Sequence, residues 1–390
     1  MMVLITGLIL IFLTSLADLV MYKSFRKHFG FRKKFKVAWS IQSLLCSSEL
    51  IALLLLFNGH VVEMHLLVWG LFIYFLVSIP KVIYLLYWPI AVMPFSKLSR
   101  VSKITTLFGA VLALTLFLFI LHGGIFGSTR LTVEKETIVS DRIPKSFDGL
   151  RIVQFSDYHL GGFTKSSGYV EEVTQRINAL RPDIVLFTGD LVNSLAEEAH
   201  PFLPELAGIK ATFGVYSVLG NHDYGDYHPW ESAEAKKANL EALKKLQHDA
   251  GWKLLNNENV LLVRSGDTLA IAGVENWGDP PFGKHGDLSK ALAGINPEWF
   301  TVLLSHNPVH WREEVIPKSN ADLTLSGHTH AMQIKAGPFS PAVLRYKEWG
   351  GLYKEKDQYL YVNRGLGFVL LPMRIGAYPE LTLIELKSVK

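Results

Sequence analysis

Arg151-Ile152-Val153-Gln154-Phe155-Ser156-Asp157-Tyr158-His159 is the stretch on which the fold turns. It opens with the apolar, β-branched texture of a buried strand and ends in a carboxylate and an imidazole two positions apart. The same pattern recurs down the chain. Ile184–Thr188 runs into Gly189-Asp190, and Val215–Leu219 into Gly220-Asn221-His222-Asp223. Thr301–Leu304 runs into Ser305-His306-Asn307-Pro308, and Leu323–Leu325 into Ser326-Gly327-His328-Thr329-His330. Leu269–Ala272 reads as a further strand, while Tyr169–Leu180 and Glu231–Ala250 read as helices, the second with the charged face of a solvent-exposed one. Strands and helices mixed in this way predict an α/β domain, and α/β domains carry their sites on the loops at strand ends.

The residues gathered there are donors of mixed type: aspartate, asparagine and histidine. Such a set suits Mn, Fe or Zn better than Ca or Mg. A carboxylate can bridge two cations, and a pair of cations can activate water and stabilise a phosphoryl transition state. Asp157 and His159, like His328 and His330, can point into one site if the chain bends just past its strand. Glycines before Asp190, Asn221 and His328 permit tight turns there. Each element alone is ordinary: Gly-Asp is a common turn, Asn221 a turn former, a lone histidine a structural residue. Five in order, each behind a strand, point to one pocket.

In type and order these motifs resemble those of the calcineurin-like metallophosphoesterases, from about Phe147 to Leu386. Asn363-Arg364-Gly365-Leu366-Gly367 and Pro379-Glu380-Leu381 are similar to the signature of the bacterial membrane-associated branch. The resemblance implies a four-layer α/β/β/α sandwich with two divalent metals at one edge, Mn²⁺ first, with Fe or Zn as alternatives. It implies that Asp157, His159 and His330 hold one metal, that Asn221, His306 and His328 hold the other, and that Asp190 bridges them. A hydroxide between the metals would attack phosphorus in line. His222 would be the non-ligating acid, with Asp223 orienting its imidazole.

Other residues have less to recommend them. Arg364 could pair with a substrate phosphate, or equally form a salt bridge. Asp226 and His228 read as solvated turn residues that could otherwise rim the pocket, and His248, His285 and His310 as structural. Asn276–Gly286, with Trp277 and Phe282, suggests a loop over the site or against lipid.

The chain has 390 residues and is 49% hydrophobic, and the excess lies before about residue 127. Val3–Tyr22, Val37–Phe57, Leu66–Val92 and Ile104–Leu121 are each near the ~20 residues that span a bilayer. They predict an all-α anchor of four transmembrane helices over residues 1–127, followed by the phosphoesterase domain over 128–390. Pro80 and Pro89 predict a kink or an interfacial stretch at the end of the third. No basic region precedes the first stretch, so a retained span is expected rather than a cleaved signal. The segment Lys23–Lys36 carries seven basic residues, and Lys97, Arg100 and Lys103 follow span three, whereas Asn58–His65 has no Lys or Arg. Basic loops stay cytoplasmic, which places residues after 121 outside the cytoplasm of an inner membrane. Asp18, Glu49 and Lys81 in the spans suit helix pairing better than a transport path. Cys46 is the single cysteine, so an intramolecular disulfide and a cysteine-rich zinc site are both excluded.

The expected protein is therefore a membrane-anchored phosphoesterase, with a phosphodiester in or near the bilayer as its preferred substrate and no nucleic-acid-binding signature. Two alternatives stay open: a cytoplasm-facing pyrophosphatase on a lipid-linked nucleotide sugar, and a non-catalytic phosphate-binding sensor.

Overall fold

The structure is a computed structural model describing residues 2–30, 33–58, 64–91, 99–278 and 283–389. Arg32, Val92, Lys97, Phe282 and residues 59–63 lie outside the described residues, as do the side chains of Lys33 and Lys34. The chain divides into two compact units. One is Met1–Phe126 with Leu370–Met373; the other is Gly127–Val369 with Arg374–Lys390.

The first unit is built on four helices: α1 (Met2–Phe29), α2 (Lys33–Asn58), α3 (Met64–Ala91) and α4 (Ser99–His122). Among the described residues, three helical segments are long and apolar enough to cross a membrane: Ile5–Phe29, Met64–Ile90 and Arg100–Gly127. The second expected span lies on α2, whose side chains from residue 54 onward lie outside the described residues. Within its unit α2 packs among the other helices. Cys46 and Leu50 on α2 meet Tyr74 on α3 and Leu10 and Ile11 on α1, while Leu44 and Leu45 stay exposed. α3 runs through Pro80 and Pro89 to Ala91, and the kink or interfacial stretch expected after Pro89 falls on residues 92–98, outside the described residues. Asp18 and Lys81 pair at 2.7 Å, with Trp39 Nε1 donating to Asp18 at 2.8 Å and Lys81 donating to Gln42 at 2.5 Å.

Two six-stranded sheets form the second unit. Sheet A comprises β1 (Thr132–Ser140), β2 (Arg151–Phe155), β3 (Ile184–Phe187), β4 (Val215–Ser217), β5 (Trp252–Leu254) and β12 (Glu380–Ser388), in the order β1-β12-β2-β3-β4-β5. The late strand β12 therefore lies between the two earliest, parallel to β1 and antiparallel to β2. Sheet B comprises β6 (Glu258–Arg264), β7 (Asp267–Gly273), β8 (Phe300–Leu304), β9 (Leu323–Ser326), β10 (Gly351–Glu355) and β11 (Gln358–Val362), ordered β10-β11-β9-β8-β7-β6.

Alternate residues of the central strands face the partner sheet. Ile152, Ile184, Leu186, Ile271, Val302, Leu304, Leu323 and Leu325 make one buried core. Ala272, Leu303, Leu360 and Val362 point the other way, onto Trp311, Val315 and a short helix, Leu288–Ala291. On the far side of sheet A lie the helices Tyr169–Ala179 and Ala233–Asp249. With both faces covered, the central strands are largely apolar, with Gln154, Thr324 and Ser326 as buried polar exceptions. This is the expected α/β/β/α layering, and it aligns β2, β3, β4, β8 and β9 so that their carboxyl ends carry the polar loops.

Candidate metal centre

The loops leave their strands by a sharp backbone turn. Asp157, His159, Asp190, His328 and His330 all have left-handed φ, between 47° and 73°. For non-glycine residues this costs about 1–2 kcal/mol each. It also supplies the bend that brings both members of Asp157-x-His159 and of His328-x-His330 to one place. Glycine is required beside them. A Cβ on Gly189, itself at φ 95°, would sit 2.6 Å from Gly220 N and 2.8 Å from His306 Nδ1, and one on Gly327 would collide with the Asp157 carboxylate.

Three groups of donors form, each with its ligand atoms within 4.8 Å of one another: Asp157, His159 and His330; His159, Asp190 and His222; Asp190, His306 and His328. His159 and Asp190 each belong to two groups, so the donors are continuous. His159 Nε2 lies 3.1 Å from His330 Nε2, which is 3.2 Å from Asp157 Oδ1. His306 Nε2 faces Asp190 Oδ2 at 3.1 Å, Asn221 Oδ1 at 3.1 Å and His328 Nδ1 at 3.2 Å. The opposite nitrogen of His306 donates to the Thr188 carbonyl at 2.8 Å. In the neutral ring its Nε2 therefore holds a lone pair directed at other lone pairs.

That arrangement calls for positive charge. Burial disfavours a charged His306, but the Asp190 carboxylate overrides it and lifts the ring to about 9. A proton thus takes the place that the donor set offers to a cation. Burial holds His328 down at about 3 and keeps His159 and His330 below the ordinary histidine range, so their lone pairs stay available. Burial would raise Asp157 and Asp190, yet the neighbouring histidines, His330 for the first and His306 for the second, keep both carboxylates ionised. The residues fit a divalent metal centre.

His222 lies at the edge of this set. Its Nδ1 lies 2.8 Å from the Asn193 carbonyl oxygen, to which it donates, its backbone N–H donates to Asp190 Oδ1 at 2.9 Å, and Tyr227 stacks on the ring at 4.2 Å. Asp223 does not orient the imidazole. Its carboxylate accepts the backbone N–H groups of Asp190, Leu191 and Gly220 at 2.8–2.9 Å, fixing the β3 and β4 loops against each other. Arg364 is buried, and its guanidinium meets Glu134 at 2.5 Å and Glu380, the salt-bridge alternative to a phosphate contact.

Asp226 pairs with Lys236, and His228 packs edge-on against Trp230. His310 is buried against Ser305 and Trp277, His285 stacks on Tyr224, and His248 is exposed. Trp277 is buried too, which removes it as a lipid contact.

Several supporting residues lie outside every motif. Arg374, fully buried, places Nη2 3.0 Å from His330 Nδ1 and donates to the carbonyls of Gly367, Ala377 and Arg364. Tyr346 Oη meets His328 Nε2 at 3.1 Å. Glu198 accepts the N–H groups of Asn193, Ser194 and Leu195, holding the loop whose carbonyl engages His222. Only Glu198 left a trace in the sequence, as an acid a few residues beyond Gly189-Asp190.

A family profile described as "Calcineurin-like phosphoesterase" matches residues 150–332. The chain is 32% identical over 310 residues to "Uncharacterized metallophosphoesterase YkuE" of Bacillus subtilis (strain 168), covering 75% of this chain and 99% of that one. It is 31% identical over 258 residues to "Transmembrane protein with metallophosphoesterase domain" of Danio rerio, covering 64% of this chain and 55%, about half, of the relative. It is 28% identical over 291 residues to "UDP-2,3-diacylglucosamine pyrophosphatase LpxG" of Chlamydia muridarum (strain MoPn / Nigg), covering 60% and 83%. Joined to apolar helices and built around these donors, the chain belongs to the calcineurin-like metallophosphoesterase family, as a membrane-associated, metal-dependent phosphoester hydrolase.

Proposed function

We propose that the chain hydrolyses a phosphodiester of an amphiphilic substrate at a two-metal site, on the side of the membrane away from the cytoplasm. The observation that carries this reading is the continuity of the donor groups through Asp190 and His159, with His222 at their edge. Asp157, His159 and His330 would hold one cation, Asn221, His306 and His328 the other, and Asp190 both. Two divalent ions there, Mn²⁺ first, would polarise phosphoryl oxygens and make a water acidic enough to attack at neutral pH. The protein's own residues do the rest. The Asn193 carbonyl holds His222 by Nδ1, which leaves Nε2 to take up a proton and pass it to the departing oxygen. Asp223 keeps the two loops in register through backbone amides. The sidedness rests on the basic residues that run from the end of α1 into the start of α2, and on Lys97, Arg100 and Lys103 around the start of α4.

A second reading draws on the LpxG relative: pyrophosphate cleavage of a lipid-linked nucleotide sugar, at the cytoplasmic face. A reporter fused within the second unit decides sidedness. Product analysis on a phosphodiester and a nucleotide diphosphate lipid decides which bond breaks.

His222→Ala tests the mechanism. The variant is expected to lose roughly 10²–10³-fold in rate on an alkyl ester, whose leaving group needs a proton, and far less on a p-nitrophenyl ester. Equal losses on both esters would remove His222 as the acid. A folded, metal-loaded chain inert on a broad phosphoester panel would overturn the enzymatic reading itself.

A further inference from the structure

Directly after His330 the backbone stays left-handed, with φ 50° at Ala331, 45° at Met332 and 60° at Gln333. Three non-glycine residues in that region are costly in succession, and the turn is held by specific bonds. Met332 N–H donates to the Thr329 carbonyl at 2.8 Å, Ser340 Oγ to the Ala331 carbonyl at 2.6 Å, and Ile375 N–H to the Gln333 carbonyl at 2.8 Å. The turn directs apolar side chains outward. Met332 is 43% exposed, Ile334 37%, Phe339 57%, Val343 46% and Leu344 87%. The short helical turn Pro341–Leu344 is tied to the left-handed turn through Ser340, so these exposed side chains are gathered on one short, tightly turned segment.

Single exposed leucines need no explanation, but a cluster of this kind does. Its charge is one-sided as well: residues 331–347 contain Lys335, Arg345 and Lys347 and no Asp or Glu. Both ends of the segment are fastened to the donor set. His330 begins it, and Tyr346 Oη meets His328 Nε2 at 3.1 Å.

We propose that Ala331–Lys347 is an interfacial element that inserts its apolar side chains into the surface of an anionic bilayer, with its basic residues at the headgroups. The occupant is lipid because apolar side chains fringed by cations match that surface, and because the same chain carries helices long and apolar enough to cross a membrane. The rim of the metal cleft would then open at the depth where an amphiphile presents its phosphate. The placement of the element does not depend on which ester is cut.

The test uses the full chain in liposomes of phosphatidylcholine and phosphatidylglycerol, on a Cys46→Ser background. An environment-sensitive fluorophore is attached at Phe339→Cys or Leu344→Cys, with Val263→Cys on β6, 64% exposed, as reference. Doxyl lipids are expected to quench the labels at 339 and 344 by roughly half, for an insertion of about 5–10 Å, and to leave the label at 263 unchanged. Replacing phosphatidylglycerol with phosphatidylcholine is expected to weaken that quenching. Labels at 339 and 344 as open to aqueous iodide as the label at 263 would overturn the proposal. So would labels shielded from both lipid and iodide, which would mean a protein partner. Quenching needs no turnover, so failure here and failure of the proposed reaction are read separately.

Discussion

Between α1 and α3, Lys81 meets Asp18 Oδ1 at 2.7 Å, Trp39 Nε1 donates to the same oxygen and Lys81 donates to Gln42. At the ends of β2, β3 and β9, two aspartates meet a row of histidines whose lone pairs face one another at 3.1–3.2 Å. Both clusters are buried, and they solve the burial of charge in opposite ways. Among the helices, cation and anion match within the chain, so the charge is balanced there and the effect of the pair is to fix how helices associate. At the sheet edge acceptors outnumber donors, so the cluster is completed from outside. A matched buried pair therefore points to architecture and an unmatched one to chemistry.

Asp190→Asn should sharpen that contrast most. Losing a carboxylate shared by two donor groups is expected to lower kcat/KM on a soluble aryl phosphodiester by on the order of 10⁴, about 5.5 kcal/mol. Metal content by mass spectrometry should fall while the helices stay intact.

Lys81→Ala is the counterpart. It leaves Asp18 buried and unpaired, and should cost about 3–5 kcal/mol in thermal unfolding of the detergent-solubilised chain. The double change Asp18→Leu with Lys81→Met should recover most of the loss. A Lys81 variant that unfolds normally but loses hydrolysis as Asp190→Asn does would break the comparison.

His310 tests an intermediate case, a buried imidazole that keeps no charge. Burial lowers it from 6.5 to about 4, so the folded chain keeps it neutral while the unfolded chain protonates it first. Stability from this site is complete above pH 6.5 and is lost as pH falls through 4, about 3 kcal/mol in all. Unfolding of His310→Phe across that range should lack this slope.

Glu134→Gln is the smallest test. Its carboxylate is 45% exposed beside Arg364, so less than about 1 kcal/mol of stability and no change in KM are expected. A marked fall in KM would return Arg364 to the substrate.

The strands that carry the site were legible because β2, β3, β8 and β9 are short, largely apolar runs that end in polar loops. The donors were legible because each follows such a strand. β1 and β12 were not, since Thr132–Ser140 and Glu380–Ser388 mix charges with apolar residues and each is defined by the other. The partners of Arg364 and Asp223 were not legible for a related reason: whether a charged side chain meets substrate, carboxylate or backbone amide depends on long-range packing. Arg374 illustrates the limit. It supports His330 from a position that no spacing marks.

The place of β12, between β1 and β2, sets a clock for synthesis. About 240 residues separate β1 from the strand that pairs with it, which is roughly 10–50 s of translation at ~5–20 residues per second. Through that interval β1 has no neighbour and β2 shows an open edge, so the sheet cannot close early. The domain's first sheet is therefore completed only once residues 380–388 have been made.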